Sequence, residues 1–346
     1  FNLVEGARGR VREALYPSLF GDLRIPYTGS DAYSLTVCVD KYLSKTVARE
    51  NGVPVPQGVA VTAAGLPGMQ WGGLRLPAIV KPTYEDHSRG IRLSSICRTI
   101  GEVQERVRSM LLEFDSVLVE EYLLGTDVVV PFLEGVGDGL LPVCETVFSD
   151  DSPIKHLDLI LTGGTEVAMR CPARLPENVT NLLRVYAKRL VRVLGLKDAA
   201  LLDFRVTPDG IPFLLEVNGV PSMQPRSPLF LAAEQRGLSM ADCLARMCDS
   251  AVKRHRKLFG PAPHGIKDRK VMRVGFVFNL KRNAPTLEGD QEAEWDPPKT
   301  IHAIKDAIER QGHVVIPLEA NETLPQRLSD AHVDVVFNIA EGFRGR

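Results

Sequence analysis

Apolar and polar positions recur along this chain with two periods, and the switches between them mark its elements. Arg10–Leu23 follows a helical spacing, broken by Pro17. Ile25–Asp31 (IPYTGSD) reads as a short strand running into a polar turn, and Ser30 or Asp31 is placed to cap the helix that follows. That helix is expected over Ala32–Asn51, with Leu35, Val39, Leu43 and Val47 on one face; Gly52-Val53-Pro54-Val55-Pro56 ends it. Strands are expected at Leu76–Pro82, Ser116–Tyr122, Val128–Leu133 and Leu141–Phe148. Helices are expected at Ile100–Leu112 and at Asn178–Leu194, the second with Leu182, Val185, Ala187, Leu190 and Val193 as its apolar positions. Pro228–Arg254 is a further helical stretch, and Leu258–Lys270, rich in Pro, Gly and Lys, reads as a linker. Val271–Leu280, His313–Pro317 and Val333–Asn338 are apolar strands around a helix at Pro298–Gln311; this β-α-β order argues for a parallel sheet covered by helices. An acidic insert, Glu288–Asp296, follows the first of these strands, a usual place for ligand contacts.

The most informative stretch is Ala199–Met223, which reads as a β-hairpin. Thr207-Pro208-Asp209-Gly210 supplies the turn chemistry. A four-residue loop there would pair Val206 with Ile211, Phe204 with Phe213 and Leu202 with Leu215, giving an apolar face. The opposite face then carries Asp203, Arg205, Leu214, Glu216 and Asn218. Two carboxylates and an amide oxygen converge there, hard oxygen donors that suit Mg²⁺ rather than Zn²⁺. On pattern alone an amphipathic surface hairpin with solvated charges explains the same face equally well.

Two lysines stand in informative places. Lys81 ends the apolar strand LPAIVKP and runs into a small, polar loop, Thr83–Ile91, that ends with Gly90 and Ile91. A lysine so placed, with loop N–H groups and the Ser88 hydroxyl as donors, suits a phosphate; a turn with a snorkelling lysine is the plainer alternative. Lys41 lies near the middle of the expected helix at 32–51, where a lysine is usually solvated. The strand exit Leu123–Asp127 is the kind of edge that presents backbone groups to an adenine. Ser149–Gly164 lacks a clear period and reads as a long loop carrying Lys155.

Composition narrows the classes. The chain of 346 residues is 44% apolar and 25% charged, with a net charge of −1 and no basic block, so neither nucleic acid nor an anionic membrane is indicated. No apolar run approaches the roughly 20 residues of a membrane span. Six scattered cysteines with no C-x-x-C pair read as free thiols of a reducing cytoplasm. The chain also repeats itself: FNLVEGARGR (Phe1–Arg10) and FNIAEGFRGR (Phe337–Arg346) agree at seven positions, 336 residues apart. The expectation is one period of a tandem protein, or else a circularly permuted unit, with Val271–Arg346 and Phe1–Ser34 as two halves of one domain type.

Four motifs together resemble the ATP-grasp superfamily, and within it the D-alanine–D-alanine ligases. They are IPYTGSD with VCVDKYLSK (Ile25–Lys45), AIVKPTYEDHSRGI (Ala78–Ile91), VLVEEYLLGTD (Val117–Asp127) and LLDFRVTPDGIPFLLEVNGVPSM (Leu201–Met223), in the family's order and spacing. The resemblance implies an α/β chain: an ATP-grasp fold, α+β in its lobes, with a parallel-sheet, Rossmann-like domain split between the two chain ends. Its parts would be 1–34 and 271–346 for that split domain, 35–115 for the small lobe, 116–257 for the large lobe and 258–270 for the linker. Lys41 and Lys81 would hold ATP phosphates, with His87 and Ser88 in the phosphate loop. Glu120 and the backbone of Glu121 and Leu123 would meet the adenine, and Asp127 the ribose. Asp203, Glu216 and Asn218 would hold Mg²⁺, with Mn²⁺ as the alternative. Lys155 would belong to a loop closing on the γ-phosphate, Ser227 would bind a substrate carboxylate, and Glu294 or Asp296 would lie near a substrate amino group.

The implied chemistry is ATP-dependent amide formation between amino-acid or carboxylate substrates through an acyl phosphate, of the kind used in peptidoglycan synthesis. The implied setting is cytoplasmic, with no nucleic-acid or membrane partner, and with a neighbouring tandem unit or a second copy as the only macromolecular partner. Two positions depart from the family pattern. Leu201 stands where an arginine is usual, and Ser222 where a glycine is usual, next to an oxyanion-hole N–H. These departures keep two alternatives open: a ligase for other substrates, and a nucleotide-binding unit of weak activity.

Overall fold

The computed structural model describes residues 1–2, 9–22, 24–86, 88–148, 167–259, 271–282 and 295–340. His87, Lys155 and Glu294 lie outside the described residues, as do most of the 258–270 linker and of the 288–296 insert. The chain is of the α/β class, with three sheets among the described residues.

Near the amino end, α1 (Leu15–Asp22) is followed by α2 (Ala32–Val39) and α3 (Lys41–Glu50). The single helix expected over 32–51 is therefore two. Asp40 is extended (φ −83°, ψ 97°), and its carboxylate caps the Tyr42 and Leu43 amides of the second helix. Helical spacing continues across the break, so periodicity alone did not reveal it. The break frees the Lys41 amide to donate to the Thr83 carbonyl at 3.1 Å, which pins the start of α3 to the exit of β2.

An antiparallel sheet of β1 (Gly58–Thr62), β2 (Ala78–Pro82), β3 (Ile96–Cys97) and β4 (Ser116–Glu121) runs in the order β1-β4-β2-β3. One face is covered by α4 (Ile100–Met110), through Val103, Val107 and Met110 against Val80, Val117 and Val119.

A second antiparallel sheet comprises β5 (Thr126–Leu133), β6 (Cys144–Phe148), β7 (Val167–Arg170), β8 (Ala199–Val206) and β9 (Pro212–Asn218), in the order β7-β6-β5-β8-β9. Its two faces bury different clusters. Val128, Val130, Leu202 and Phe204 pack with Val37, Ala48 and α5 (Glu177–Val193). Val129, Leu133 and Leu201 pack towards α6 (Pro228–Glu234) and α7 (Met240–Phe259). In α5 the buried positions are Val179, Leu183, Ala187 and Leu190, whereas Val185 and Val193 are exposed; the expected apolar stripe was rotated, because its valines face water.

The hairpin register also differs from expectation. The loop takes in Ile211, so Val206 pairs with Pro212, Arg205 with Phe213 and Phe204 with Leu214. Leu214, not Phe213 or Leu215, fills the core. An irregularity beside Asp203/Phe204 then absorbs one residue of β9, and beyond it Asp203 pairs with Glu216 and Leu201 with Asn218. The polar set thus shares one face, but through a bulge rather than through the four-residue loop.

The third sheet is parallel, as expected: β10 (Arg273–Phe278) lies between β11 (Val314–Glu319) and β12 (Val335–Asn338), with α8 (Pro298–Arg310) and α9 (Leu324–Asp330) as the intervening helices. The first two residues of each copy of the repeat meet here. Asn2 bridges Asn338 in parallel, Phe1 stacks on Phe337 (centroids 4.3 Å apart, 9° between planes), and the Asn338 amide donates to the Phe1 carbonyl at 2.7 Å. An isolated bridge so attaches the amino end to the last strand of this sheet.

A buried ion pair ties the segment before α2 to α7. Arg254 grips Asp198 with both ends of its guanidinium (2.7 and 2.9 Å) and also donates to the carbonyls of Tyr27 and Gly29. Asp198 is fully buried and accepts from the Gly29 amide as well. Asp198→Asn is expected to destabilise the chain by about 3 kcal/mol, because Arg254 is left without its counter-charge. Urea denaturation reads this directly; a loss below about 1 kcal/mol would place the bridge among weak surface pairs.

Candidate active site

The exit of β2, the start of α3 and the polar face of the β8–β9 hairpin meet at Lys41. Lys41 is buried, and its Nζ lies 3.2 Å from Glu216 and 3.4 Å from Asp86, and donates to the Glu85 carbonyl. Burial alone would push the Lys41 ammonium down, but Glu216 and Asp86 beside it hold it above the usual lysine range. Asp86 in turn takes Arg12 at 2.5 Å, and Arg12, itself buried, also donates to the Tyr84 carbonyl. The loop after Lys81 is thereby fixed from the amino end of the chain.

Lys81 and Lys45 share a second carboxylate. Glu120, 1% exposed, places one oxygen 2.7 Å from Lys81 and bonds Lys45 with the other. Burial works to raise the Glu120 carboxyl, yet the two ammoniums hold it below its usual range. Glu120, expected beside an adenine, thus has its side chain between two lysines. At the neighbouring positions the Glu121 amide donates to Gln57 and the Leu123 carbonyl accepts from Arg205 at 2.9 Å.

On the hairpin face, Asp203 and Glu216 are cross-strand partners, with Asn218 two residues beyond. The Asn218 Oδ1 accepts from the Val220 amide at 2.8 Å, which orients the side chain. Close packing sets the turn that follows: a Cβ on Gly219 would lie 2.6 Å from Leu35. Among the described residues no group of three or more His, Cys, Asp or Glu side chains could hold a metal ion. The hairpin offers two carboxylates and an amide oxygen, a hard oxygen set that would leave most of a divalent cation's sites to water and phosphate.

At the far end of the same face, Arg205 grips Asp127 with a two-pronged ion pair (2.7 and 2.8 Å) and stacks over Tyr122, 5.3 Å from its centroid. Asp127, the expected ribose position, thus has Arg205 as its partner. Gly125 makes the turn between them: at φ +150° its place for a Cβ lies 2.1 Å from the Val206 carbonyl oxygen, so the strand exit approaches the hairpin as only glycine allows.

Ser88 adopts φ +61°, and its carbonyl accepts from the Ile91 amide, closing the loop after Lys81. The Ser222 hydroxyl accepts from the Gln224 amide at 3.3 Å. Ser227 is buried and its hydroxyl has no hydrogen-bond partner. Such an oxygen is unusual in a native interior and fits a donor kept for a ligand.

Comparison with known proteins gives this arrangement a family. A family model described as D-ala D-ala ligase C-terminus matches residues 48–249. The chain belongs to the D-alanine–D-alanine ligase family. Its relatives include the D-alanine–D-alanine ligase of Aquifex aeolicus, 32% identical over 217 residues, which cover 62% of this chain and 70% of that protein. An uncharacterised protein of Sinorhizobium fredii is 30% identical over 262 residues, 75% of each chain. Among solved structures, the D-alanine–D-alanine ligase of Bacillus anthracis complexed with ATP aligns with a TM-score of 0.59 at 21% identity, over 70% of this chain and 76% of that one. The D-Ala:D-Ser ligase of Enterococcus faecalis gives 0.60 at 21% identity, over 73% and 71%. This chain is accordingly an ATP-grasp ligase, and the latter two likenesses establish its fold.

Sequence reasoning missed Arg12, Lys45 and Asp86 at this site. Lys45 had one available signal, its spacing of four residues from Lys41 on a helix. Arg12 and Asp86 had none, because their pairing joins residues 74 apart.

The Arg205–Asp127 clamp yields a test. Arg205→Met is expected to cost about 3 kcal/mol, and Arg205→Lys to recover less than half of it, since a point charge cannot replace a two-pronged grip. Equilibrium denaturation of both variants decides; equal recovery by lysine would mean that charge alone matters.

Proposed function

We propose that this ligase joins amino acids, forming an amide at the expense of ATP through an acyl phosphate, and that its substrates are most like those of D-alanine–D-alanine ligases. One observation supports the reading: Lys41 pairs with Glu216 of the Asp203–Glu216–Asn218 face, and one helical turn along α3 Lys45 shares Glu120 with Lys81. In it, Lys41 and Lys81 hold the phosphate chain, Asp203, Glu216 and Asn218 hold a divalent cation, with Mg²⁺ preferred on donor chemistry, and Ser227 donates to a substrate carboxylate. The cation, when bound, screens the phosphate charge as the phosphoryl group moves. The substrate carboxylate attacks the γ-phosphorus, ADP leaves, and the amine of the second substrate then displaces phosphate from the acyl carbon. The chain's part is to position the reactants and neutralise charge: Lys41 and Lys81 supply fixed ammoniums that need no reorganisation as the phosphoryl group transfers. Residues 35–115 and 116–257 serve as the two lobes around the site. Lys155, His87 and Glu294 keep their expected roles as parts of this proposal.

A second reading concerns substrate choice. Leu201, at the position of the family arginine, is 8% exposed and belongs to the apolar cluster with Val129 and Leu229. That end of the hairpin face is a core rather than a charged wall, which favours a ligase whose substrates differ from D-alanine.

ADP release with Mg·ATP and a panel of D- and L-amino acids, followed by mass detection of the product, tests both. Amino-acid-dependent ADP with a dipeptide supports the proposal, and the residue that works identifies the substrate; no amino acid stimulating release would overturn it. Asp203→Asn and Glu216→Gln are each expected to lower turnover by about 10²-fold or more while the melting temperature stays near that of the wild type. An unchanged rate in both would remove the cation from that face.

A further inference from the structure

Lys45 stands outside the set of residues that the resemblance assigns. It lies one helical turn after Lys41 on α3, but the two side chains serve different carboxylates: Lys41 reaches Glu216 and Asp86, whereas Lys45 reaches Glu120. Lys45 is 4% exposed and Lys81 6% exposed, so the Lys45–Glu120–Lys81 cluster is almost wholly withdrawn from water. Two ammoniums on one carboxylate leave one positive charge in excess, and a buried excess charge is costly unless something neutralises it. A single lysine on Glu120 would instead form a neutral pair and draw the Lys81 ammonium wholly to the carboxylate.

On the reading of this region as the ATP site, we propose that Lys45 is a positioning residue: it occupies one oxygen of Glu120, leaves the other to fix Lys81, and supplies the excess charge that an anionic phosphate chain neutralises. The ligand class is a polyphosphate, and the residue acts on it through Glu120 and Lys81.

The state of Lys45 gives the proposal a distinctive readout. Burial pushes its ammonium down to about 7, against the pull of Glu120. The groups that face it are Glu120 on β4, Lys81 on β2 and, more weakly, Glu216 on β9; Tyr42 and Arg49 of its own helix line a separate small pocket with Lys45 and Glu120. The excess charge is therefore present below about pH 7 and lost above it.

The test is Mg·ATP affinity by titration calorimetry on the full chain at pH 6 and pH 8.5, for wild type, K45M, K45Q and K45R, with thermal unfolding of each. K45R keeps its charge at both pH values and corrects for titration of the nucleotide. The wild type is expected to match K45R at pH 6 and to fall about tenfold below it at pH 8.5, the scale of one partly screened charge at close range. K45M or K45Q is expected to be about tenfold weaker than K45R at both. Affinity in K45M and K45Q equal to the wild type at pH 6 overturns the inference. So does a K45R as weak as K45M, which would make shape rather than charge the cause. Should neither neutral variant fold, the wild-type profile relative to K45R decides alone, and parallel profiles overturn the inference. No Mg·ATP binding by the wild type would overturn the proposed function itself, a result distinguishable from the others.

Discussion

The pairing of β8 with β9 is the constraint on which the rest of this structure depends. Side chains alternate across a sheet, so a one-residue slip moves every following residue to the other face. Near the turn, Leu214 enters the core opposite Phe204, and this alone would send Glu216 away from Asp203. The irregularity beside Phe204 returns the register before Glu216 is reached. Core packing and the polar face are thereby both satisfied, each on its own side of the bulge. Helices α2 and α3 lean on the same hairpin, which is why Lys41 arrives within an ion pair's reach of Glu216.

Four nearly buried cations share three carboxylates around Lys41 and Lys81. Lys41, Lys45, Lys81 and Arg12 are all nearly buried, and each is matched by a carboxylate: Glu216 and Asp86 for Lys41, Glu120 for the other two lysines, Asp86 again for Arg12. Buried ion pairs add little net stability over apolar packing, so folding alone does not account for their concentration here. Asp86 sits between Arg12 and Lys41 and so couples the amino-terminal segment, the loop after Lys81 and the hairpin face. Stability is met elsewhere, by the apolar clusters on the two faces of the five-stranded sheet.

The parallel sheet shows the same economy at the level of the whole chain. The repeated Phe-Asn pair brings Phe1 onto Phe337 and Asn2 beside Asn338, and Phe276 closes edge-on against Phe337 (79°). This aromatic contact continues into the cluster that holds Leu201 and Val129, so the parallel sheet and the five-stranded sheet share one apolar core.

By itself the sequence determined the fold class, most of the elements and which side chains are candidates for chemistry. These are local properties: strand and helix periods, turn residues, and a lysine ending an apolar strand before a loop. The parallel sheet at 273–338 followed from β-α-β order, and the shared face of Asp203, Glu216 and Asn218 from alternation, although for the wrong pairing. Only the tertiary structure decided the break at Asp40, the exposed valines of α5, the bulge in β9 and the partners of the charges. Arg12 with Asp86, Lys45 with Glu120 and Arg205 with Asp127 are joined across 74, 75 and 78 residues. No period in a sequence encodes such a pairing, because it exists only once folding has removed both charges from water and left each the other's nearest partner.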